Sequence, residues 1–262
     1  MSSGTRGERA VPPPRHGAVL GRPDVGAAGP PPTLDGVSPS PSPQSLTAVS
    51  QDYLKVIWSA QEWSDRPVTT KALAARLGVG PSTVSETVRR LVEAGLVTHE
   101  PYGAVGLTAQ GRAHALAMVR RHRLLETFLV AELGYGWDEV HDEAEVLEHA
   151  VSDGFVERVA AHLGHPSRDP HGDPIPGPDG SVQVPAAQTL WDSDEGDWVV
   201  VRISDADPEL LRFLAARGLG LDVRVTVTRH AVAGVVSARV GADERQVDLG
   251  EGAASAIWLS RP

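Results

Sequence analysis

Between positions 141 and 149 the chain reads His-Asp-Glu-Ala-Glu-Val-Leu-Glu-His, which puts His141, Glu145, Glu148 and His149 at i, i+4, i+7 and i+8. On an α-helix these positions fall within about 100° of arc, so two imidazoles and two carboxylates share one face. Val146, Leu147, Ala150 and Val151 take other faces, so the polar stripe is not simply a surface left over. Upstream, His122 and Glu126 repeat the i, i+4 pairing. Two facing helices of this kind offer six nitrogen or oxygen donors, enough to hold a divalent cation. The chain contains no cysteine, so thiolate sites are excluded and any metal must be held by Asp, Glu, His or carbonyl oxygen. Carboxylate-rich coordination suits Mn2+ first and Fe2+ as the alternative, with other divalent transition metals able to bind in vitro. A lone His/Glu pair is usually a surface contact and an acidic helix face is usually solvated; two such sets on consecutive helices favour coordination.

Other chemistries at these residues fit less well. A carboxylate-bridged metalloenzyme needs paired Glu-x-x-His motifs on two helices, and only one comparable cluster exists. The helical zinc-protease signature needs His where Glu145 stands. The chain is therefore read as no enzyme. A second set of candidate residues points to DNA: Ser82, Thr83, Ser85 and Glu86 open a helix whose N-terminal end can face bases and phosphates, and Arg89 and Arg90 follow one turn on.

The punctuation around those residues defines the elements. A first helix begins near Leu46, with Tyr53, Leu54, Ile57 and Trp58 at helical spacing. Thr70 caps a second, carrying Leu73, Ala74 and Leu77, and Gly78 ends it. Pro81 suits the first position of a third, with Val84, Val88, Leu91 and Val92 as its buried stripe, ending before Gly95. Two strands follow, Leu96–His99 and Val105–Leu107, around Pro101-Tyr102-Gly103. Helix, turn, helix, hairpin is a winged helix-turn-helix. A long helix from Thr108 to about Val130 and another from about Trp137 to Leu163 carry the candidate ligands, and Gly164, Pro166 and Pro170 stop the second. Strand-like runs at 197–203, 223–227 and 235–240, with a short helix near Glu209–Ala216, suggest a small β-barrel.

Residues 1–44 are dominated by Pro, Gly and Ser, with too few apolar side chains to offset the entropy of ordering, and are expected to be a disordered tail. Its Arg6, Arg9, Arg15 and Arg22 are read as belonging to an inert tail rather than to a phosphate-touching arm. The expected domains are then 45–116 (winged helix), 117–166 (helical metal-binding and dimerisation), a linker at 167–185, and 186–262 (β domain). The formal charge of −10 is unevenly spread: residues 46–125 carry ten Lys and Arg against six Asp and Glu, whereas 126–262 carry ten against twenty-five. A DNA-facing first half and a cation-collecting second half give this pattern. Neither a run of eighteen apolar residues nor a secretory signal is present, so the expected location is the cytoplasm, with no membrane contact.

Over nearly all of 46–262 the chain resembles the diphtheria toxin repressor family of metalloregulators. The resemblance rests on Gln51-Asp52-Tyr53-Leu54, Gly80-Pro81-Ser82-Thr83-Val84-Ser85, Arg121-His122-Arg123-Leu124-Leu125-Glu126, the His141–His149 stripe and Pro170-His171-Gly172-Asp173-Pro174-Ile175-Pro176. It implies a mainly α fold with small β: a winged helix domain, a helical dimerisation domain and a C-terminal SH3-like (FeoA-like) β-barrel. It further implies a homodimeric repressor of metal-uptake genes that binds a palindromic double-stranded operator, with an iron-responsive regulator as the alternative. Carried over by position, Asp52, Glu145, Glu148 and His149 become a primary metal site, and His122, Glu126 and His141 an ancillary one. Iron-sensing members have Met and Cys where this chain has Asp52 and Glu145, so the resemblance points to manganese. Lys55 stands where short manganese sensors have a second carboxylate, and Arg202 and Asp205 stand where iron sensors donate Glu and Gln, which leaves Asp205 a weak ligand candidate.

Overall fold

A computed structural model describes residues 46–100, 103–229, 234–241 and 245–262. The expected tail and two residues of the hairpin turn, Pro101 and Tyr102, lie outside the described residues. Helix α1 (Ala48–Glu62) is capped by Thr47, whose hydroxyl accepts from Ser50 N–H, and its Tyr53, Leu54, Ile57 and Trp58 are buried. In α2 (Thr70–Leu77) the cap is Thr69 rather than Thr70: the Thr69 hydroxyl accepts from Ala72 N–H, satisfying an amide that the first turn leaves without a carbonyl. Gly78 closes α2 at φ 66, in the left-handed region.

Helix α3 (Pro81–Glu93) starts after Gly80 with no side-chain cap and buries Val84, Thr87, Val88 and Leu91. Val92, expected in that stripe, is exposed, because position i+8 drifts off a face that Thr87 helps to close. Strands β1 (Val97–His99) and β2 (Val105–Leu107) pair antiparallel as the wing, with Val97 opposite Leu107. These elements share one core with the start of α4 (Ala109–Leu133). Thr108, the α4 cap, also donates its hydroxyl to Gly95 O, and a Cβ on Gly111 would sit 1.8 Å from Leu96 O. The helix therefore lies flush against the base of the wing.

The single helix expected from Trp137 to Leu163 is instead two, α5 (Val140–Glu148) and α6 (Asp153–His162). The break has a physical cause at each side. The buried Arg121 guanidinium of α4 binds Glu148 O and Val151 O and pairs with Asp153, so the carbonyls ending α5 find a tertiary partner. The Ser152 hydroxyl accepts from Phe155 N–H and starts α6 afresh.

The segment expected as a linker packs tightly between domains: Asp169, His171, Asp173 and Ile175 are buried. Gly172 takes φ +92, and a Cβ there would lie 2.1 Å from Val201 O, so only glycine lets this segment reach the β domain. That domain is an antiparallel six-stranded sheet of β3 (Gln188–Thr189), β4 (Gly196–Ile203), β5 (Arg224–Arg229), β6 (Val235–Val240), β7 (Arg245–Gly250) and β8 (Ile257–Ser260). Helices α7 (Pro208–Ala215) and α8 (Glu251–Ala254) complete it. The strand order is β3-β8-β4-β5-β6-β7, and among the described residues the expected closed barrel is not formed. Strand β3 has only two residues, already paired with β8, and offers too little ladder to join β7. A register shift between Val200 and Arg202 interrupts the alternation of β4 and buries both Arg202 and Ile203. No helix among the described residues is long and apolar enough to cross a membrane.

Candidate metal centre

The stripe read from the sequence divides between two neighbouring sets of donors. At the end of α5, Glu148 and His149 meet Asp52 of α1, with one ligand atom from each within 4.8 Å of the others. Glu148 is fully buried, its carboxylate between Lys55 of α1 and His122 of α4. The His149 ring is oriented from behind: Gln51 turns its amide nitrogen to Leu46 O at 3.1 Å, leaving Oε1 to accept from His149 Nδ1 at 2.8 Å. With Nδ1 donating to Gln51, the ring turns Nε2 toward Asp52. Nε2 and Asp52 Oδ1 approach to 2.8 Å, yet that oxygen has no hydrogen bond. Nε2 and Asp52 Oδ1 are therefore placed to share either a proton carried by the imidazole or a metal ion. Burial raises the Asp52 carboxyl pKa, against the lowering pull of His149 and Lys55.

The second set is built on α4. His122 Nδ1 lies 2.6 Å from Glu148 Oε2, and its Nε2 lies 2.9 Å from Glu126 Oε1 and 3.2 Å from His141 Nδ1. His122, His141 and Glu145 form one possible ligand group; Glu126, His171 and Asp205 form another alongside. His171 Nε2 donates to Trp137 O at 2.6 Å, which leaves Nδ1 as a buried lone pair with no hydrogen-bond partner. His141 Nδ1 stands 3.3 Å from Asp205 Oδ2 and 3.3 Å from Glu126 Oε1. The residues thus suit a cation at both places: imidazole nitrogens and carboxylate oxygens converge, and no sulfur is among them.

Protonation equilibria reflect the crowding. Burial alone would depress the His122 imidazole, but the Glu126 charge and hydrogen bonds to Glu126 and Glu148 outweigh it and lift the pKa to about 9. His141 is likewise raised against burial, chiefly by Asp205 and Glu126, to about 10. Glu126 and Asp205 are pushed down, burial being overcome by these imidazoles. Protons and metal ions therefore compete for the same nitrogens.

Of the residues singled out in the sequence, Asp52, Glu148 and His149 come together, and His122, Glu126 and His141 come together. Glu145 joins the second set rather than the first: His141 Nε2 is 3.5 Å away, and Lys55 Nζ is 2.6 Å away. His171 was not foreseen as a ligand although it stands in the quoted Pro170-His171-Gly172 motif, because a histidine in a presumed linker carries no periodic signal. Asp205, a weak candidate in the sequence, lies in the set. Beside it, Arg202 donates Nε to Asp173 at 2.6 Å, and its guanidinium lies over the rings of both Trp63 and Trp258, which touch each other.

On α3 the DNA candidates Ser82, Thr83, Ser85, Glu86, Arg89 and Arg90 are all exposed, on the face opposite the buried stripe. Ser85 returns its hydroxyl to Pro81 O, and Arg89 pairs with Glu86 and Glu93 at 2.8 Å.

Three family models match the chain: the iron dependent repressor N-terminal DNA binding domain over 45–105, the iron dependent repressor metal binding and dimerisation domain over 108–177, and the FeoA domain over 193–261. The iron-dependent repressor IdeR of Mycobacterium leprae is 32% identical over 204 residues, covering 73% of this chain and 88% of that protein. Alignments with other mycobacterial and corynebacterial repressors span 56–60% of those proteins. A solved structure described as a manganese-dependent transcriptional repressor in complex with manganese is 60% identical with a TM-score of 0.78, covering 81% of this chain and 100% of its own. The manganese regulator SloR is 33% identical with a TM-score of 0.70, covering 81% and 98%.

Proposed function

Because this chain belongs to the iron-dependent repressor family of metal-dependent, DNA-binding transcriptional repressors, we propose that it is the manganese-responsive kind, a homodimer that silences metal-uptake genes when manganese is plentiful. The observation that carries the reading is the meeting of Asp52, Glu148 and His149 from two helices, one ligand atom of each within 4.8 Å of the others and His149 Nε2 2.8 Å from Asp52 Oδ1. Asp52, Glu148 and His149 would hold one ion; His122, His141 and Glu145, with Glu126, His171 and Asp205 beside them, would supply a second. When bound, a divalent ion supplies the positive charge that lets these carboxylates and imidazoles converge. Oxygen and imidazole donors without sulfur support Mn2+ over softer ions, and Fe2+ is the second choice. The name of the 60% identical structure agrees with manganese.

The residues of the chain do the mechanical part. Asp52 sits on the first helix of the winged helix domain and Glu148 and His149 on α5, so a shared ligand fixes α1 against the helical domain. Val146 and Phe155, exposed on α5 and α6, give an apolar face for a second copy of the chain. The two α3 helices of the pair would then read successive major grooves about 34 Å apart on a palindromic operator, with Ser82, Thr83, Ser85 and Glu86 toward the bases and Arg89 and Arg90 toward phosphates. A ligand that favours this spacing must bind it about 10⁴-fold better than the alternative to switch it fully. An SH3-like arrangement of the C-terminal sheet and a cytoplasmic location belong to the same reading. The test is operator binding titrated with Mn2+, with a chelator as control: binding should appear with metal and vanish with chelator. Full-strength binding in chelator would overturn the proposal.

A further inference from the structure

Lys55 carries an ammonium, which has no lone pair for a metal ion, yet it lies among the donors. Its Nζ lies 2.5 Å from Glu148 Oε1 and 2.6 Å from Glu145 Oε1, with the side chain 9% exposed. Glu148 Oε2 is already engaged by His122, so Oε1 is the oxygen left to face His149, whose Nε2 is 3.5 Å away. The oxygen that would complete the Asp52, Glu148 and His149 set is therefore the one the ammonium holds.

We propose that Lys55 is a tethered competitor for this centre, an internal cation that a divalent ion must displace from Glu148 before it can bind. The inference rests on the metal-sensor reading above. Two cations cannot share one carboxylate oxygen at contact distance without strong repulsion. The tether keeps the ammonium at high effective concentration, so it raises the metal level at which the centre fills. The displaced side chain has somewhere to go: Lys55 borders a cavity of about 620 Å³ that is also lined by Ser59, Glu126 and Asp205. Four methylenes give it the reach to move there and keep a carboxylate partner. The threshold of the sensor is thereby set by a residue that is not itself a ligand, and substitution at position 55 changes it without touching the donors.

The experiment uses the full chain and Mn2+ alone, following free Mn2+ by electron paramagnetic resonance. Lys55→Met should bind its Mn2+ at least tenfold more tightly than the wild type, while Lys55→Arg, which keeps the charge, should not. The metal-free Lys55→Met protein should also unfold at a lower temperature, since Glu145 and Glu148 lose their partner, and should gain more from added Mn2+. If Lys55→Met does not fold, Lys55→Gln replaces it, with the same tightening expected. Equal or weaker affinity in a folded uncharged variant overturns the proposal while leaving the metal reading intact. A wild type that takes up no Mn2+ removes that reading and this inference with it.

Discussion

Raising the pH should tighten metal binding, and the structure sets the size of the effect. His122 is enclosed between Glu126 and Glu148, and these carboxylates lift its pKa to about 9. A ring that donates to two carboxylates has no lone pair to give, so a metal ion binding at His122 must expel a proton. At pH 7 that group lies about two units below its midpoint, and freeing the nitrogen costs about 2.7 kcal/mol, a factor of about 100 in affinity. Each unit of pH up to about 9 should therefore strengthen binding about tenfold through His122 alone, and His141, raised to about 10, adds to the slope if it too ligates. The assay is calorimetric titration with Mn2+ at pH 7 in two buffers of different ionisation enthalpy, which counts protons released, repeated at pH 6.5 and 8. We expect between one and two protons per chain, and one fewer in His122→Gln. Flat affinity across that range with no proton release would refute the reasoning. The metal-free fold should respond in the opposite sense. A raised imidazole pKa stabilises the folded state fully below pH 6.5 and is lost as pH climbs through about 9, so the melting temperature of metal-free protein should fall across that window.

Three further outcomes follow from the packing and the DNA face. Gly172→Ala forces a Cβ to within 2.1 Å of Val201 O at a left-handed backbone position, and should cost about 2–4 kcal/mol and raise tryptic cleavage near 172; an unchanged melting temperature would contradict the close approach. Arg202→Met removes the guanidinium from the faces of Trp63 and Trp258 and from Asp173, and should destabilise by about 3 kcal/mol with a visible change in tryptophan fluorescence; identical spectra would count against the cation–π contacts. Arg90→Ala should weaken operator binding and lower the salt dependence by about one unit of slope without altering the preferred sequence; loss of sequence preference instead would assign Arg90 to a base.

What the sequence disclosed was whatever depends on neighbours within a few positions. Tyr53, Leu54, Ile57 and Trp58 mark the buried side of α1 by spacing alone, Gly78 marks the end of α2, and His122 with Glu126 shows its shared face directly. The break between α5 and α6 was not legible, because the apolar rhythm runs on through Val151 and Phe155 while the cause, Arg121, sits on another helix. Lys55 was visible as a departure from pattern, but its hold on residues 90 and 93 positions away exists only in three dimensions. The same is true of His171 and Asp205, which reach Glu126 from a packed connection and from the turn after β4. Burial of Arg202 depends on a register shift against β8, a strand too short to announce itself. Strands β3, β7 and β8 were not read from the sequence, and β3 and β8 have only two and four residues to show an alternation.

Helix α4 runs unbroken for 25 residues, about 37 Å. His122 lies near its middle, and its first turn is pressed against the wing through Thr108 and Gly111. It behaves as a stiff lever with no joint at which to lose motion. From His122 to Ala109 the arm is about 20 Å, so a tilt of about 5° at the donors carries the base of the wing through nearly 2 Å. Small rearrangements around an ion then arrive at the DNA-facing surface as shifts large enough to make or miss a hydrogen bond.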